Sequence, residues 1–245
     1  MKYWVWILLC LFVFGAAAFI PEAKPKPFAI VELFTAEGCS SCPPADELLK
    51  EMTDILRKEG KEVFSLSFHV TYWNKNGWED SYSQEIFTDR QKKYAQSISD
   101  EQLYTPQAIV NGEKEFIGSN PIAFREAVMS AVSKSPTVEI KASASIEKNN
   151  LVVGYKSNQA PATYVVNIAL VETSVVHFIP RGENKSRTLK HYNIVRSFST
   201  SSLKAMDSVV SPWPKGLVAS NSSVILYVQH PKSLRIVGAT RVEMK

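Results

Sequence analysis

Cys39 and Cys42 stand two residues apart in GCSSCPPAD, residues Gly38 to Asp46. Such a pair can exchange electrons with other thiols, hold part of a metal site, or staple a loop. The staple is the weakest of these. Closing a four-residue loop stabilises a fold by about 2 kcal/mol, against about 3 kcal/mol for a fifteen-residue loop. A closed zinc or iron–sulfur site asks for about four ligands. Beyond the two thiols the chain offers His69, His177, His191 and His230, and only His69, ending a predicted strand, is expected nearby. No resident metal or other cofactor is therefore expected besides the cysteine pair itself. Copper(I), which accepts two thiolates with His69 as a third ligand, stays open as cargo.

The flanking pattern says how the pair is held. FAIVELF, residues 28–34, reads as a strand, and PPADELLKEMTDILRKEG as a helix with Leu48, Leu49, Met52, Ile55 and Leu56 on one face. EVFSLSFHV, residues 62–70, reads as a second strand, which completes a strand–helix–strand crossover. Cys39 then falls at the start of a helix, beside unpaired backbone N–H groups and the positive end of the dipole. That setting favours thiolate, so Cys39 is the expected attacking sulfur and Cys42, one turn on, the resolving one. Ser40 and Ser41 can donate hydrogen bonds toward the sulfurs.

Further along, residues 71–83 read as a loop carrying Tyr72, Trp73 and Trp78, either a substrate platform or a cover for the core. A helix capped by Ser83 follows, with Ile86, Phe87, Tyr94 and Ile98 inward and Arg90 in an ion pair with Glu79 or Asp80. Asn111-Gly112 marks a hairpin turn. Asn120 caps a last helix with Pro121 at its first position. From Thr137 onward six short strand-like runs separated by Asn, Pro, Ser and Gly suggest a β-sandwich. Within them PRGENKSRTLKHYN, residues 180–193, reads as a polar loop, a site for an anion, or a surface docking on the first half. His69 is expected to be a hydrogen-bonded, partly buried histidine, with a role at the sulfurs as its alternative.

The 245-residue chain opens on Lys2 and an uncharged apolar run, Trp4 to Ile20, with Ala16, Ala17 and Ala18 as a small-residue cleavage pattern. Residues 1–20 read as a secretory signal peptide and 21–26 as a linker; an uncleaved membrane anchor is the alternative and the only expected membrane contact. Cys10 lies inside that run. Residues 19–135 carry 13 Lys/Arg and 18 Asp/Glu, net −5, whereas residues 136–245 carry 14 and 6, net +8. No nucleic-acid motif accompanies the basic half, and no serine triad, phosphate loop or paired-carboxylate signature is visible.

The order strand, CxxC-headed helix, strand, helix, Thr105-Pro106, hairpin, helix resembles thioredoxin. The resemblance implies a cis Pro106 facing the CxxC and Thr105 lining a substrate groove. More closely, ELFTAEGCSSCPPAD (Glu32 to Asp46), FHVTYW (Phe68 to Trp73), GWED (Gly77 to Asp80), Thr88-Asp89-Arg90-Gln91, Tyr104-Thr105-Pro106-Gln107 and Arg181-Gly182-Glu183-Asn184 resemble a family of exported proteins known mainly as a domain of unknown function. Thioredoxin keeps a buried aspartate where this chain has Leu33. The neighbouring Glu32 is expected either to accept a proton in its place or to pair with a cation at the sheet edge.

These readings together imply an α/β thioredoxin-like domain over residues 27–135 and an all-β sandwich-like domain over 136–245. The chain would be exported to the periplasm or cell envelope, or secreted. The expected activity is thiol–disulfide exchange through Cys39 and Cys42 on protein thiols and disulfides, with a redox partner that the sequence does not name. Thr105 and Pro106 would bind substrate, and Glu32, Ser40, Ser41, His69 and Trp73 are supporting candidates. The alternatives are a non-catalytic envelope binding or scaffold protein with a locked disulfide, and a copper(I) carrier.

Overall fold

The computed structural model describes residues 25–98 and 101–245. The expected signal peptide, Cys10 and most of the expected linker lie outside the described residues. Among those described, no helix is long and apolar enough to cross a membrane. The fold is mixed α/β, mostly sheet, with three α-helices among the described residues.

β1 (Phe28–Thr35) pairs in parallel with β2 (Glu62–His69) and antiparallel with β3 (Gln107–Val110), which turns into β4 (Lys114–Ile117). The β3–β4 turn is Asn111-Gly112 with φ of 50° and 67°, as its residue types predict. Glycine is required there for space as well as conformation, because a Cβ would lie 1.9 Å from the Leu234 carbonyl oxygen.

β1 is buried on both faces, and its alternation divides two cores. Ala29, Val31 and Leu33 meet α1 (Pro43–Lys58) and α3 (Pro121–Val132). Phe28, Ile30 and Phe34 join Phe64, Leu66 and Phe68 of β2, Phe87 and Tyr94 of α2 (Glu85–Ile98), and the two cysteines. Asn120 caps α3, its Oδ1 accepting from Ile122 and Ala123 N–H at 3.1 Å. Two inward assignments are corrected. Ile55 of α1 and Ile86 of α2 are exposed, and α2 instead buries Thr88, Arg90 and Gln91 beside Phe87 and Tyr94, since a polar network fills part of its core face. Ser83 does not start a free-standing cap; its hydroxyl donates to Asp80 O at 2.8 Å and accepts from Asn74 at 3.0 Å.

The second half carries β5 (Ile140–Glu147), β6 (Asn150–Ser157), β7 (Val165–Ile179), β8 (Arg187–Ser202), β9 (Met206–Pro212), β10 (Ser222–Gln229) and β11 (Ile236–Glu243). β5, β6 and β9 make a three-stranded sheet. The other four continue the sheet of the first half, in the order β11-β10-β7-β8-β2-β1-β3-β4. The join is a short parallel contact at Ser67 and Ile194. Ser67 Oγ donating to Tyr192 O and Asn193 Nδ2 to Ser65 Oγ, both at 2.7 Å, extend it. A separate apolar cluster between the three-stranded sheet and β7, β10 and β11 contains Leu151, Val153, Ile168, Leu170 and Leu226.

β7 and β8 are 15 and 16 residues long, longer than the strand-like runs at residues 163–173 and 193–199 that the sequence shows there. Residues 187–193, read as part of a polar loop, are the first half of β8. Their side chains are too polar for a pattern-based strand assignment, yet the backbone pairs with β7 as far as Ile179 and Arg187. The tip of this hairpin lies against the CxxC turn.

Candidate functional site

After β1 the chain turns twice. Cys39 N–H donates to Ala36 O at 3.2 Å and Cys42 N–H to Cys39 O at 3.3 Å. Cys39 and Cys42 form a disulfide, and both residues are 0 % exposed. Ser40 and Ser41, between them, face solvent. Cys42 is the N-cap residue of α1, so Cys39 stands one turn ahead of the helix.

The free N–H groups expected at this helix end are absent. Pro43 and Pro44 have none, and those of Ala45 and Asp46 both donate to Cys42 O, at 2.9 and 3.1 Å. The dipole remains, but the donors to Cys39 Sγ are hydroxyls. Thr105 Oγ1 lies at 3.2 Å and Ser41 Oγ at 3.4 Å. The Trp73 indole N–H donates to Thr105 Oγ1 at 2.7 Å. The Thr105-Pro106 bond is cis, and the Thr105 carbonyl oxygen is 3.9 Å from Cys39 Sγ. Trp73 and Tyr72 belong to a 3-10 turn, Thr71–Asn76, and pack against the same core as the cysteines. Trp73 also sits 3.4 Å from where a Gly38 Cβ would be, which fixes the spacing of the two loops.

Behind the CxxC turn lies a buried cluster of histidines and carboxylates. Glu37 receives the Trp78 indole N–H at 2.7 Å, touches His177 Nδ1 at 2.6 Å and has His191 Nε2 at 3.2 Å. His191 Nδ1 is 3.4 Å from Asp46, one turn into α1. These two His191 contacts are ion pairs without hydrogen-bond alignment. Asp80 accepts from the Glu37 N–H at 2.9 Å and pairs with His69 Nδ1 at 2.7 Å. The His69 and His191 rings are 5.0 Å apart, edge to face.

Burial opposes a charge on His191, yet the pull of Asp46 and Glu37 outweighs it and the imidazole is pushed up to about 9. Burial and the nearby Asp80 raise Glu37, but His191, Trp78 and His177 leave it below the usual carboxylate range. Burial also works against Asp80, and the His69 contact with the N–H groups of Glu37 and Tyr82 brings it down to about 2. Among the described residues, no three His, Cys, Asp or Glu side chains are arranged to hold a metal ion.

The hairpin tip completes the site. Ser40 N–H donates to Glu183 Oε2 at 3.0 Å. Asn184, fully buried, donates from Nδ2 to Glu37 O at 2.8 Å and Cys39 O at 2.9 Å, and Arg187 holds its Oδ1 at 2.7 Å. The segment 180–193 thus docks on the first half, through hydrogen bonds to the CxxC backbone.

Other expected residues lie elsewhere. Glu32 is sealed (0 % exposed) in a bidentate pair with Arg90, at 2.9 and 3.1 Å, and accepts from Tyr227 OH at 2.6 Å. Arg90 therefore does not pair with Glu79 or Asp80; strand alternation turns Glu32 toward α2, where the guanidinium sits among Phe68, Tyr94, Phe198 and Tyr227. His69 is a buried histidine committed through Nδ1 to Asp80. The sequence reading gave no role at the site to Glu37 or Asp46, weighed Asp80 only as a partner of Arg90, and set His177 aside as too far from the cysteines. Glu37 and Asp46 flank the CxxC by two and four residues, the one local signal that pointed to them; His177 and His191 are brought in by a strand pairing that no local pattern reveals.

A family model described as a protein of unknown function (DUF1223) matches residues 30–229. A crystal structure of protein AGR_C_4864 from Agrobacterium tumefaciens superposes with a TM-score of 0.64 at 25% identity, covering 90% of this chain and 96% of that one. A domain of the outer membrane lipoprotein Omp28 from Porphyromonas gingivalis aligns over 44% of this chain and 95% of its own at 17% identity, with a TM-score of 0.28 that carries no argument. No curated protein matches.

Proposed function

Because the chain belongs to the DUF1223 family of proteins of unknown function, its own geometry has to supply the activity, and we propose an exported, thioredoxin-like thiol–disulfide oxidoreductase acting on protein thiols and disulfides through Cys39 and Cys42. The observation that carries the reading is a disulfide at the head of α1 with the Thr105 hydroxyl oxygen 3.2 Å from Cys39 Sγ. The parallel β1–α1–β2 unit, β3–β4 hairpin and α3 over residues 27–135 support the thioredoxin-like part, and two facing sheets support the sandwich-like part over 136–245.

In the reductive direction Cys39 thiolate attacks a substrate disulfide. The substrate S–S bond breaks, its electron pair leaves on the departing sulfur, and a mixed disulfide forms at Cys39. Cys42 then loses its proton and attacks Cys39 Sγ. The second substrate sulfur leaves as thiolate and the Cys39–Cys42 bond re-forms, so the substrate gains the two electrons that the cysteine pair gives up. Run backward, the same steps oxidise a substrate dithiol.

A second reading is favoured by the complete burial of both cysteines: a sealed disulfide in an envelope binding or scaffold protein. One experiment separates them. The full chain is incubated with insulin and dithiothreitol, and alkylation of the reduced protein at Cys39 is followed against pH. The oxidoreductase reading expects catalysed insulin reduction, abolished by Cys39→Ser, and a thiol titrating below the ordinary value of about 8.5. A disulfide that dithiothreitol leaves intact in the folded protein, with no turnover, would establish the sealed form.

A further inference from the structure

Two prolines open α1, so the helix gives Cys39 no free N–H donor, and a thiolate there needs another. Thr105 Oγ1 stands 3.2 Å from the sulfur and Trp73 Nε1 2.7 Å from that oxygen. An indole N–H can only donate. Thr105 Oγ1 is therefore the acceptor in its contact with Trp73, and its single hydrogen is left for another neighbour. We propose that Trp73 is a positioning residue for the exchange reaction: by occupying a lone pair of Thr105 Oγ1 it turns the Thr105 hydroxyl hydrogen onto Cys39 Sγ, giving the reduced protein a fixed O–H donor to its attacking thiolate. This rests on the reading of Cys39 as the attacking sulfur.

The chain of donors runs one way, from a nitrogen that cannot accept to a sulfur that, once ionised, cannot donate. In the disulfide state the hydroxyl oxygen already stands 3.2 Å from the sulfur. When the disulfide opens, the acceptor gains a full charge and the bond becomes charge-assisted, roughly twice as strong as a neutral one. A competing acceptor is the Tyr72 hydroxyl beside Thr105, whose own hydrogen goes to Gln91 Oε1 at 3.2 Å. A neutral phenol loses that competition to a thiolate. Ser41 Oγ, at 3.4 Å and on an exposed residue, is free to turn to water and adds a weaker donor.

The test uses the full-length Cys42→Ser chain, with iodoacetamide alkylation of the Cys39 peptide followed by mass spectrometry against pH. Thr105→Val removes the hydroxyl and is expected to raise the Cys39 thiol pKa by about one to two units, the equivalent of a hydrogen bond to a charged acceptor. Thr105→Ser keeps the hydroxyl and is expected to leave the value within about a third of a unit of the parent, the scale of a surface change. Trp73→Phe keeps an aromatic side chain, removes the indole N–H and frees the hydroxyl to rotate, with an expected rise of about half a unit to one unit, a part of the same bond. If Thr105→Val and Trp73→Phe leave the thiol pKa at the value of the Cys42→Ser parent while that thiol is acidic and the chain with both cysteines reduces insulin, the donor chain is overturned and the oxidoreductase reading stands. Equal shifts in Thr105→Ser and Thr105→Val would also overturn it, because packing rather than the hydroxyl would then be responsible. A Cys39 thiol at about 8.5 in the Cys42→Ser parent, with no insulin turnover by the chain that keeps both cysteines, removes both readings together.

Discussion

Replacing Arg90 with Met leaves a carboxylate with nowhere to send its charge. Glu32 is 0 % exposed, and its oxygens face Arg90 and the Tyr227 hydroxyl. Without the guanidinium, the folded state holds Glu32 either ionised with one neutral donor or protonated. Protonation sets the ceiling. Neutralising a carboxyl whose unfolded pKa is about 4.3 costs, at pH 7, about 2.7 units of 1.36 kcal/mol, or about 4 kcal/mol. This falls within the roughly 3–5 kcal/mol seen when one partner of a buried pair is removed.

The sign follows from linkage. In the variant the folded pKa of Glu32 is raised, so stability is retained at low pH and lost as pH rises above about 4.3. At pH 5 the protonation cost shrinks to about 1 kcal/mol. Urea unfolding of parent and Arg90→Met at pH 5 and pH 7 reads the difference directly, with equal m values required for the comparison. The Glu32→Gln, Arg90→Met pair should lose this pH dependence. An Arg90→Met variant within about 1 kcal/mol of the parent at pH 7, or equally destabilised at both pH values, would refute the reasoning.

Gly112→Ala should cost roughly 2–5 kcal/mol in urea unfolding, since the residue has φ of 67° and a Cβ would lie 1.9 Å from Leu234 O. His191 is held at about 9 between Glu37 and Asp46, facing the His69 and Tyr82 rings with Asp80 beyond His69. Its contribution, about 3 kcal/mol, is complete below pH of about 6.5 and fades as pH rises to about 9; a His191→Gln chain measured across that window should lack the parent's decline.

What the sequence disclosed depended on how far the information had to travel along the chain. β1, α1, β2, the Asn111-Gly112 turn and the Asn120 cap are set by neighbouring residues, and each lies where periodicity and turn chemistry place it. The cis Thr105-Pro106 bond came from resemblance rather than from any local rule. The cluster behind the cysteines was invisible for a physical reason. Its members come from the CxxC turn, β2, the loop before α2 and both strands of a hairpin, and only pairing of β7 with β8 brings His177 and His191 to Glu37. Arg90 misled for a related reason. A charged residue on a helix invites an ion pair with a near neighbour in sequence, but here Arg90 crosses the core to Glu32, 58 positions away.

Asn184 holds the carbonyl of Cys39 from 145 positions downstream. A growing chain therefore produces both cysteines, and the helix behind them, long before the amide that braces their turn exists. Synthesis has to pass residue 184, about three quarters of the way along the 245-residue chain, before that brace can form.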